Sequence, residues 1–139
     1  NQPRDRLYSQ LDFGPASSAC KVSGREKITI NPDDAKSRSI REGDIVRVFN
    51  DRGEVLAGAH ICSGIRSSVV QMATGAWWDP FSNNAASCKH GNVNVLTKDQ
   101  GTSQLAQGPT ALSCLVQVEA YLDEVPELTA HTPPEIRSF

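Results

Sequence analysis

The stretch His90-Gly91-Asn92-Val93-Asn94-Val95-Leu96-Thr97, with Gly101-Thr102-Ser103-Gln104-Leu105-Ala106-Gln107-Gly108 close behind it, packs side-chain amides, hydroxyls and glycines around a short apolar run. Neither half holds a nucleophile beside a base. Side-chain amides donate and accept at once, and glycines let backbone N–H groups approach a ligand closely. Residues of these types suit the grip on a large, flat, polar molecule with fused rings and phosphates. In such a site the ligand, rather than a side chain, carries the reactivity.

Other chemistries are poorly supported. His60, His90 and His131 are scattered along the chain, and Cys88-x-His90 is the one close pair of metal-ligating residues. The cysteines at 20, 62, 88 and 114 form no C-x-x-C pair, the spacing that zinc sites favour. Cys62 and Cys114 lie beside apolar stretches and read as small buried hydrophobes. The chain has no G-x-S-x-G elbow, no phosphate loop and no G-x-G-x-x-G fingerprint. Asp51, Asp79 and Asp99 each sit where a turn favours aspartate, and read as turn residues.

At 139 residues the chain is long enough to bury a core as one domain. A net charge of −2 and a pI near 5.9 argue against a nucleic-acid surface, which normally shows a basic excess. No apolar run is long enough to span a bilayer. Residues Asn1 to Arg6 carry neither an initiator methionine nor a hydrophobic signal core, so the expectation is a segment internal to a longer chain.

The elements that must position the polar loops are short. Residues 1–26, with Pro3, Gly14, Pro15 and Gly24, read as an irregular lead-in, within which Leu7-Tyr8-Ser9-Gln10-Leu11 has the alternation of a strand edge. Ile28-Thr29-Ile30 predicts a strand. Asn31 as N-cap, Pro32 at the first helical position and Asp33-Asp34 at the positive end of the dipole predict a helix over about 32–38. Ile45–Phe49, the turn Asn50-Asp51-Arg52-Gly53 and residues 54–61 predict a hairpin, with Val55, Ala57, Ala59 and Ile61 on one face and His60 on the other. Further strands are expected over 68–73 and 114–121. Two adjacent tryptophans cannot both face inward on a strand, so of Trp77 and Trp78 one should pack and the other cover a surface or ligand. Residues 81–92 read as a polar loop, and Pro126, Pro133 and Pro134 make 123–139 an extended tail. Roughly five or six short strands with one or two short helices describe a mainly β fold, a small barrel with helical insertions.

The runs Ile30-Asn31-Pro32-Asp33-Asp34-Ala35, Arg41-Glu42-Gly43-Asp44-Ile45-Val46-Arg47-Val48, Asn50-Asp51-Arg52-Gly53, Thr74-Gly75-Ala76-Trp77-Trp78-Asp79-Pro80, Cys88-x-His90-Gly91-Asn92, Asn94-Val95-Leu96-Thr97 and Gly101-Thr102-Ser103-Gln104-Leu105-Ala106-Gln107 occur in unbroken order. Together they resemble the C-terminal cofactor-binding domain of molybdopterin oxidoreductases, in the branch of dimethyl sulfoxide, trimethylamine N-oxide and biotin sulfoxide reductases. The resemblance spans residues 6–122. It implies a six-stranded double-psi β-barrel over 27–122, with the 1–26 lead-in carrying part of the site. It also implies a bis-molybdopterin guanine dinucleotide with molybdenum, clasped between this domain and preceding domains of the same enzyme, and a small S-oxide or N-oxide substrate. The implied cofactor contacts are Leu7, Tyr8, Ser9, Gln10, His90, Asn92, Asn94, Gln107 and Gly108, with Ser9, Gln10, Asn94 and Gln107 as the hydrogen-bond partners. Tyr8 stands where many relatives carry histidine, and Val93 where proline is frequent. The metal-ligand serine of this branch lies on an earlier domain, so no catalytic or metal-ligating residue is expected here. Two other readings stay open: a stand-alone double-psi barrel serving as a protein-interaction module, and the equivalent domain of a formate- or nitrate-type molybdoenzyme. The Trp-Asp-Pro and Thr-Ser-Gln-Leu-Ala-Gln runs weigh against the second.

Overall fold

The strand Lys27–Ile30 (β1) alternates as its sequence demands, with Ile28 and Ile30 buried and Lys27 and Thr29 half-buried. The computed structural model describes residues 1–81, 84–108, 110, 114–134 and 136. Ahead of β1 lie a single 3-10 turn, Ser9–Leu11, and a short helix, Pro15–Cys20 (α1). After β1 comes helix Pro32–Ser37 (α2), whose N-cap Asn31 accepts from the Asp33 N–H at 2.9 Å. The Asn31 amide also donates to the Ile65 carbonyl, tying α2 to the loop after the hairpin. Strands Ile45–Phe49 (β2) and Glu54–Ile61 (β3) form that hairpin, followed by Val70–Met72 (β4), Ser87–Cys88 (β5), a 3-10 turn Val93–Leu96 and Gln117–Ala120 (β6).

The six strands make one sheet in the order β4-β1-β3-β2-β6, with β5 pairing β3 off that path. β1 and β5 run parallel to β3, and the other pairings are antiparallel. The sheet is open between β4 and β6, yet it curls. Val70 and Met72 of β4 and Val118 of β6 line one cavity of about 680 Å³ together with Ile30, Val48 and Leu96. The architecture is therefore mainly β with few helices. Among the described residues no helix is long and apolar enough to cross a membrane.

β3 is the axis of the sheet, and its run from Val55 to Ala59 is buried on both faces. Val55, Ala57 and Ala59 join the main cluster with Ile28, Ile30, Val46 and Val48, and Ile61 packs against it. His60 lies on the opposite face, where its Nδ1 pairs with Glu42 at 3.0 Å. The lead-in covers that second face, and Gly58 permits the cover: a Cβ there would run into the Val22 side chain. At the hairpin tip, the Asn50 carbonyl oxygen of the side chain accepts from Arg52 N–H, while its amide donates to the Leu96 and Leu115 carbonyls.

Several expectations need correction. Leu7–Leu11 is not a strand edge but a bend leading into the 3-10 turn Ser9–Leu11, and α1 begins at Pro15 in its favoured first-turn position. The strand expected over 68–73 shrinks to Val70–Met72, because Ser68 takes a φ of 64° and donates its N–H to Asp34 Oδ2. The strand expected over 114–121 is ordered as Gln117–Ala120, the stretch that pairs with β2. The polar loop 81–92 contains β5. Neither tryptophan is buried: Trp77 is 38% and Trp78 50% exposed, each with its indole N–H on a backbone carbonyl. The thiol sealed in the core belongs to Cys88, whereas Cys62 and Cys114 are half-buried.

The tight approach at Gly58 gives a direct check. Gly58→Ala is expected to destabilise the fold by about 1–3 kcal/mol through overpacking against Val22, read as a lower urea midpoint at unchanged m-value. A midpoint equal to the parent's would contradict the packing described.

Candidate functional site

The lead-in folds around buried charge. Arg6, almost fully buried, reaches Glu26 at 2.7 Å, Asp5 at 2.9 Å, Ser17 Oγ at 3.1 Å and the Thr74 carbonyl at 2.9 Å. Asp12, with no exposed surface, takes Lys21 Nζ at 2.7 Å on one oxygen. Its other oxygen accepts from the Trp77 N–H at 3.0 Å and faces His131 Nε2 at 3.3 Å. Burial alone pushes the Asp12 carboxyl up. The hydrogen bonds from Lys21 and Trp77, and the Lys21 charge, outweigh it and hold the group below the usual carboxylate range. An ionised Asp12 can only accept, so His131 Nε2 is the donor in that contact.

The same reasoning applies next door. His90 is 1% exposed, and its Nδ1 lies 3.0 Å from the Trp77 carbonyl, which can only accept, so Nδ1 carries the proton. Burial pushes the His90 pKa below its ordinary value despite that carbonyl, and the imidazole stays neutral near pH 7. His131 stands edge-on to Phe13, Trp77 and His90 at centroid distances of 4.9, 5.0 and 4.9 Å. Gly91, at a φ of 108°, lets this loop close onto Glu26, where a Cβ would collide with the Glu26 backbone. The Cys88 sulfur accepts from the N–H groups of Asp79, His90 and Asn92 at 3.3–3.4 Å.

Asp79 is no turn residue. Its buried carboxylate accepts from Thr129 N–H and Oγ1 and from Ala130 N–H, and burial's upward push is overcome by those bonds and by Lys89. The Pro-containing segment after Asp123 thus returns to the body of the domain, with Arg25 also donating to the Pro126 carbonyl at 2.6 Å.

Nine residues were expected at the site, and the structure joins most of them. Leu7, Tyr8, Ser9 and Gln10 are exposed around the 3-10 turn, and the Ser9 carbonyl receives the Trp77 indole N–H at 2.6 Å. Trp77 connects them to His90 through its own carbonyl. Asn92, half-buried, caps the turn that presents exposed Asn94. Among the described residues the side chains of Ser9, Gln10 and Asn94 have no partner within the chain. No contact ties Gln107 and Gly108 to this group among the described residues. They sit in an exposed loop where Gln107 Nε2 donates to the Ser103 and Gln104 carbonyls and Thr102 N–H to Gly108 O. His90 is too deeply buried to present a hydrogen bond outward; it braces Trp77 instead.

Asp12, His90 and His131 also bring three ligand-capable atoms within 4.8 Å of one another. The charge around them opposes a cation. Lys21 lies 2.7 Å and Arg6 3.6 Å from Asp12, and His90 Nδ1 is turned onto a carbonyl. Of this cluster only His90 was expected at the site; Asp12 and His131, with Arg6, Lys21, Glu26 and Thr129 around them, were not, and Asp79 was read as a turn residue. Asp12 and His131 are 119 positions apart, and no spacing rule spans that distance.

The described residues form an open, mainly β sheet beside a buried polar network, with the exposed side chains of Ser9, Gln10 and Asn94 left without partners in the chain. The family model described as the molydopterin dinucleotide binding domain matches residues 1–115, and the chain belongs to that family. It is 42% identical over 136 residues to the trimethylamine-N-oxide reductase of Haemophilus influenzae, covering 96% of this chain and 16% of that protein. It is 47% identical to the trimethylamine-N-oxide reductase of Salmonella typhi, with 95% and 16% covered, and 47% to trimethylamine-N-oxide reductase 1 of Escherichia coli K12, with 91% and 15% covered. The chain therefore spans about a sixth of the length of these relatives. Among solved structures, acetylene hydratase from Pelobacter acetylenicus shares the fold at a TM-score of 0.65 and 13% identity, over 87% of this chain and 17% of that one.

The neutral His90 has a pH signature. Folding depresses its pKa below 6.5, so the unfolded chain binds more protons between the two values. The stability this confers is complete above 6.5 and is lost as pH falls through the folded-state value. His90→Asn keeps a donor to the Trp77 carbonyl and cannot be protonated. Its melting temperature should fall less than the parent's between about pH 7.5 and pH 5.5; parallel curves would contradict a buried neutral imidazole.

Proposed function

We propose that this chain is the cofactor-holding domain of a molybdenum oxidoreductase that reduces small N-oxides or S-oxides, gripping one moiety of a bis-molybdopterin guanine dinucleotide against preceding domains of the enzyme. The single observation that carries the reading is the set of exposed polar side chains left, among the described residues, without a partner in the chain. Ser9, Gln10 and Asn94 offer one hydroxyl and two amides, the donor–acceptor chemistry that pterin edges and pyrophosphate oxygens require. The donor set fits such a ligand and lacks the thiolates or free imidazoles that would bind metal through the protein. When bound, the group supplies two-electron oxygen-atom transfer, and the substrate class rests on the trimethylamine-N-oxide reductases that this chain resembles.

The chain's own residues bind and orient. The Ser9–Leu11 turn presents Ser9 and Gln10, held from below by Trp77 on the Ser9 carbonyl. Asn92 fixes the turn that presents Asn94 by accepting its N–H at 2.9 Å. Leu7 and Tyr8, both about two-thirds exposed, are apolar shoulders that exclude water once covered. Gln107 joins as an acceptor through Oε1, since its amide protons are already spent on Ser103 and Gln104; Gly108 lets backbone approach beside it. His90 and Asn92 act from beneath, as supports of these contacts. The open sheet described above is consistent with the double-psi barrel of this family, and with the covering of its exposed surface by the rest of the enzyme.

In the full-length enzyme, Gln10→Ala and Asn94→Ala should each cost about 1–3 kcal/mol of cofactor binding. Molybdenum and guanine content per chain after extended dialysis reads this loss. Parental loading in both variants would sink the assignment.

A further inference from the structure

The match to the family model stops at residue 115, yet the segment from Pro126 to His131 is bound to the body of the domain by three separate anchors. Arg25, a buried guanidinium with no ion pair among the described residues, donates to the Pro126 carbonyl. Asp79 takes three hydrogen bonds from Thr129 and Ala130. His131 then enters the space between Asp12, Phe13, Trp77 and His90. Each anchor spends a buried charge or a buried ring on a segment without helix or strand, and charges are buried only where partners hold them. A tail with no task would stay in water.

We propose that Pro126–His131 is a strap belonging to the cofactor site, and that His131 is a positioning residue for the turn presenting Ser9 and Gln10. The route is short. His131 Nε2 donates to the Asp12 oxygen that also receives the Trp77 N–H, and the Trp77 indole holds the Ser9 carbonyl. Asp12 directly follows that turn, whose closing bond runs from the Asp12 N–H to the Ser9 carbonyl at 3.0 Å. His131 therefore grips both the end of the turn and the tryptophan against which it rests. It touches no ligand itself. The inference rests on the cofactor reading above, and extends the site by a segment outside the family-model match.

The test uses the full-length, cofactor-loaded enzyme and measures the rate at which molybdenum and guanine nucleotide leave the protein in mild urea. His131→Phe keeps the ring-edge contacts and removes the donor; His131→Gln restores an amide N–H near the position of Nε2. Release from the phenylalanine variant should be roughly tenfold faster than from the parent, the worth of one charge-assisted hydrogen bond. The glutamine variant should lie within about twofold of the parent, a rescue that loss of packing alone does not yield. Parental release from His131→Phe, or equal release from the two variants, would overturn the proposal. Asn94→Ala is run in parallel: faster release there with parental release from His131→Phe removes the strap and leaves the site reading intact, whereas parental release from both removes both. Should the phenylalanine variant fail to accumulate, Thr129→Val probes the strap at its Asp79 anchor, where faster release supports the proposal and parental release overturns it.

Discussion

A carboxylate sealed from water must be surrounded by donors or it costs several kcal/mol, and Asp12 sets that requirement for the whole upper end of this domain. Its oxygens gather Lys21 from the end of α1, the N–H of Trp77 from the loop after β4, and His131 from the distant C-terminal segment. Arg6 approaches the same carboxylate and binds Glu26, which lies immediately before β1. One buried charge therefore stitches the lead-in to the sheet, to the tryptophan loop and to the tail. Removing a single partner from such a network typically costs about 3–5 kcal/mol, so its members rise or fall together.

The sheet and the network divide the labour. The sheet, centred on β3, supplies apolar burial and fixes where the loops emerge. The network supplies rigidity to segments that contain little regular structure, and a ligand-holding side chain is effective only when its backbone is already in place. The Ser9–Leu11 turn and the Val93–Leu96 turn are each a single 3-10 turn, too short to be stable alone. Trp77, whose N–H is bound by Asp12, holds the Ser9 carbonyl of the first, and Asn92, whose own N–H reaches the Cys88 sulfur, caps the second. Membership of the molydopterin dinucleotide binding domain family and the free amides of Gln10 and Asn94 thus meet in one physical picture.

Local order was legible in the sequence and long-range order was not. Ile28-Thr29-Ile30, the Asn31-Pro32 cap and the Asn50–Gly53 hairpin turn carry signals that act within a few residues, and each is where its signal puts it. The alternation in Leu7–Leu11 misled, because period two is also satisfied by a tight turn with both apolar residues in solvent. β5, only Ser87–Cys88, is too short to show any period and exists because the start of β3 offers a free edge. Cys88 outranked Cys62 and Cys114 in burial because its sulfur receives three backbone N–H groups, a role that hydrophobic neighbourhood does not reveal. Of the residues expected at the site, Ser9, Gln10 and Asn94 are exposed, as polar residues in short turns ordinarily are. The buried network was not legible in the sequence, since the pairing of Asp12 with His131, and of Asp79 with Thr129, depends on the complete fold.

The most direct measurement is a crystal structure of the full-length enzyme with its cofactor bound. The account predicts that Ser9, Gln10 and Asn94 each place a side-chain polar atom within about 3.2 Å of the same molybdopterin guanine dinucleotide, with Trp77 still on the Ser9 carbonyl. A cofactor lying elsewhere, with those three side chains facing solvent or another protein surface, would contradict it.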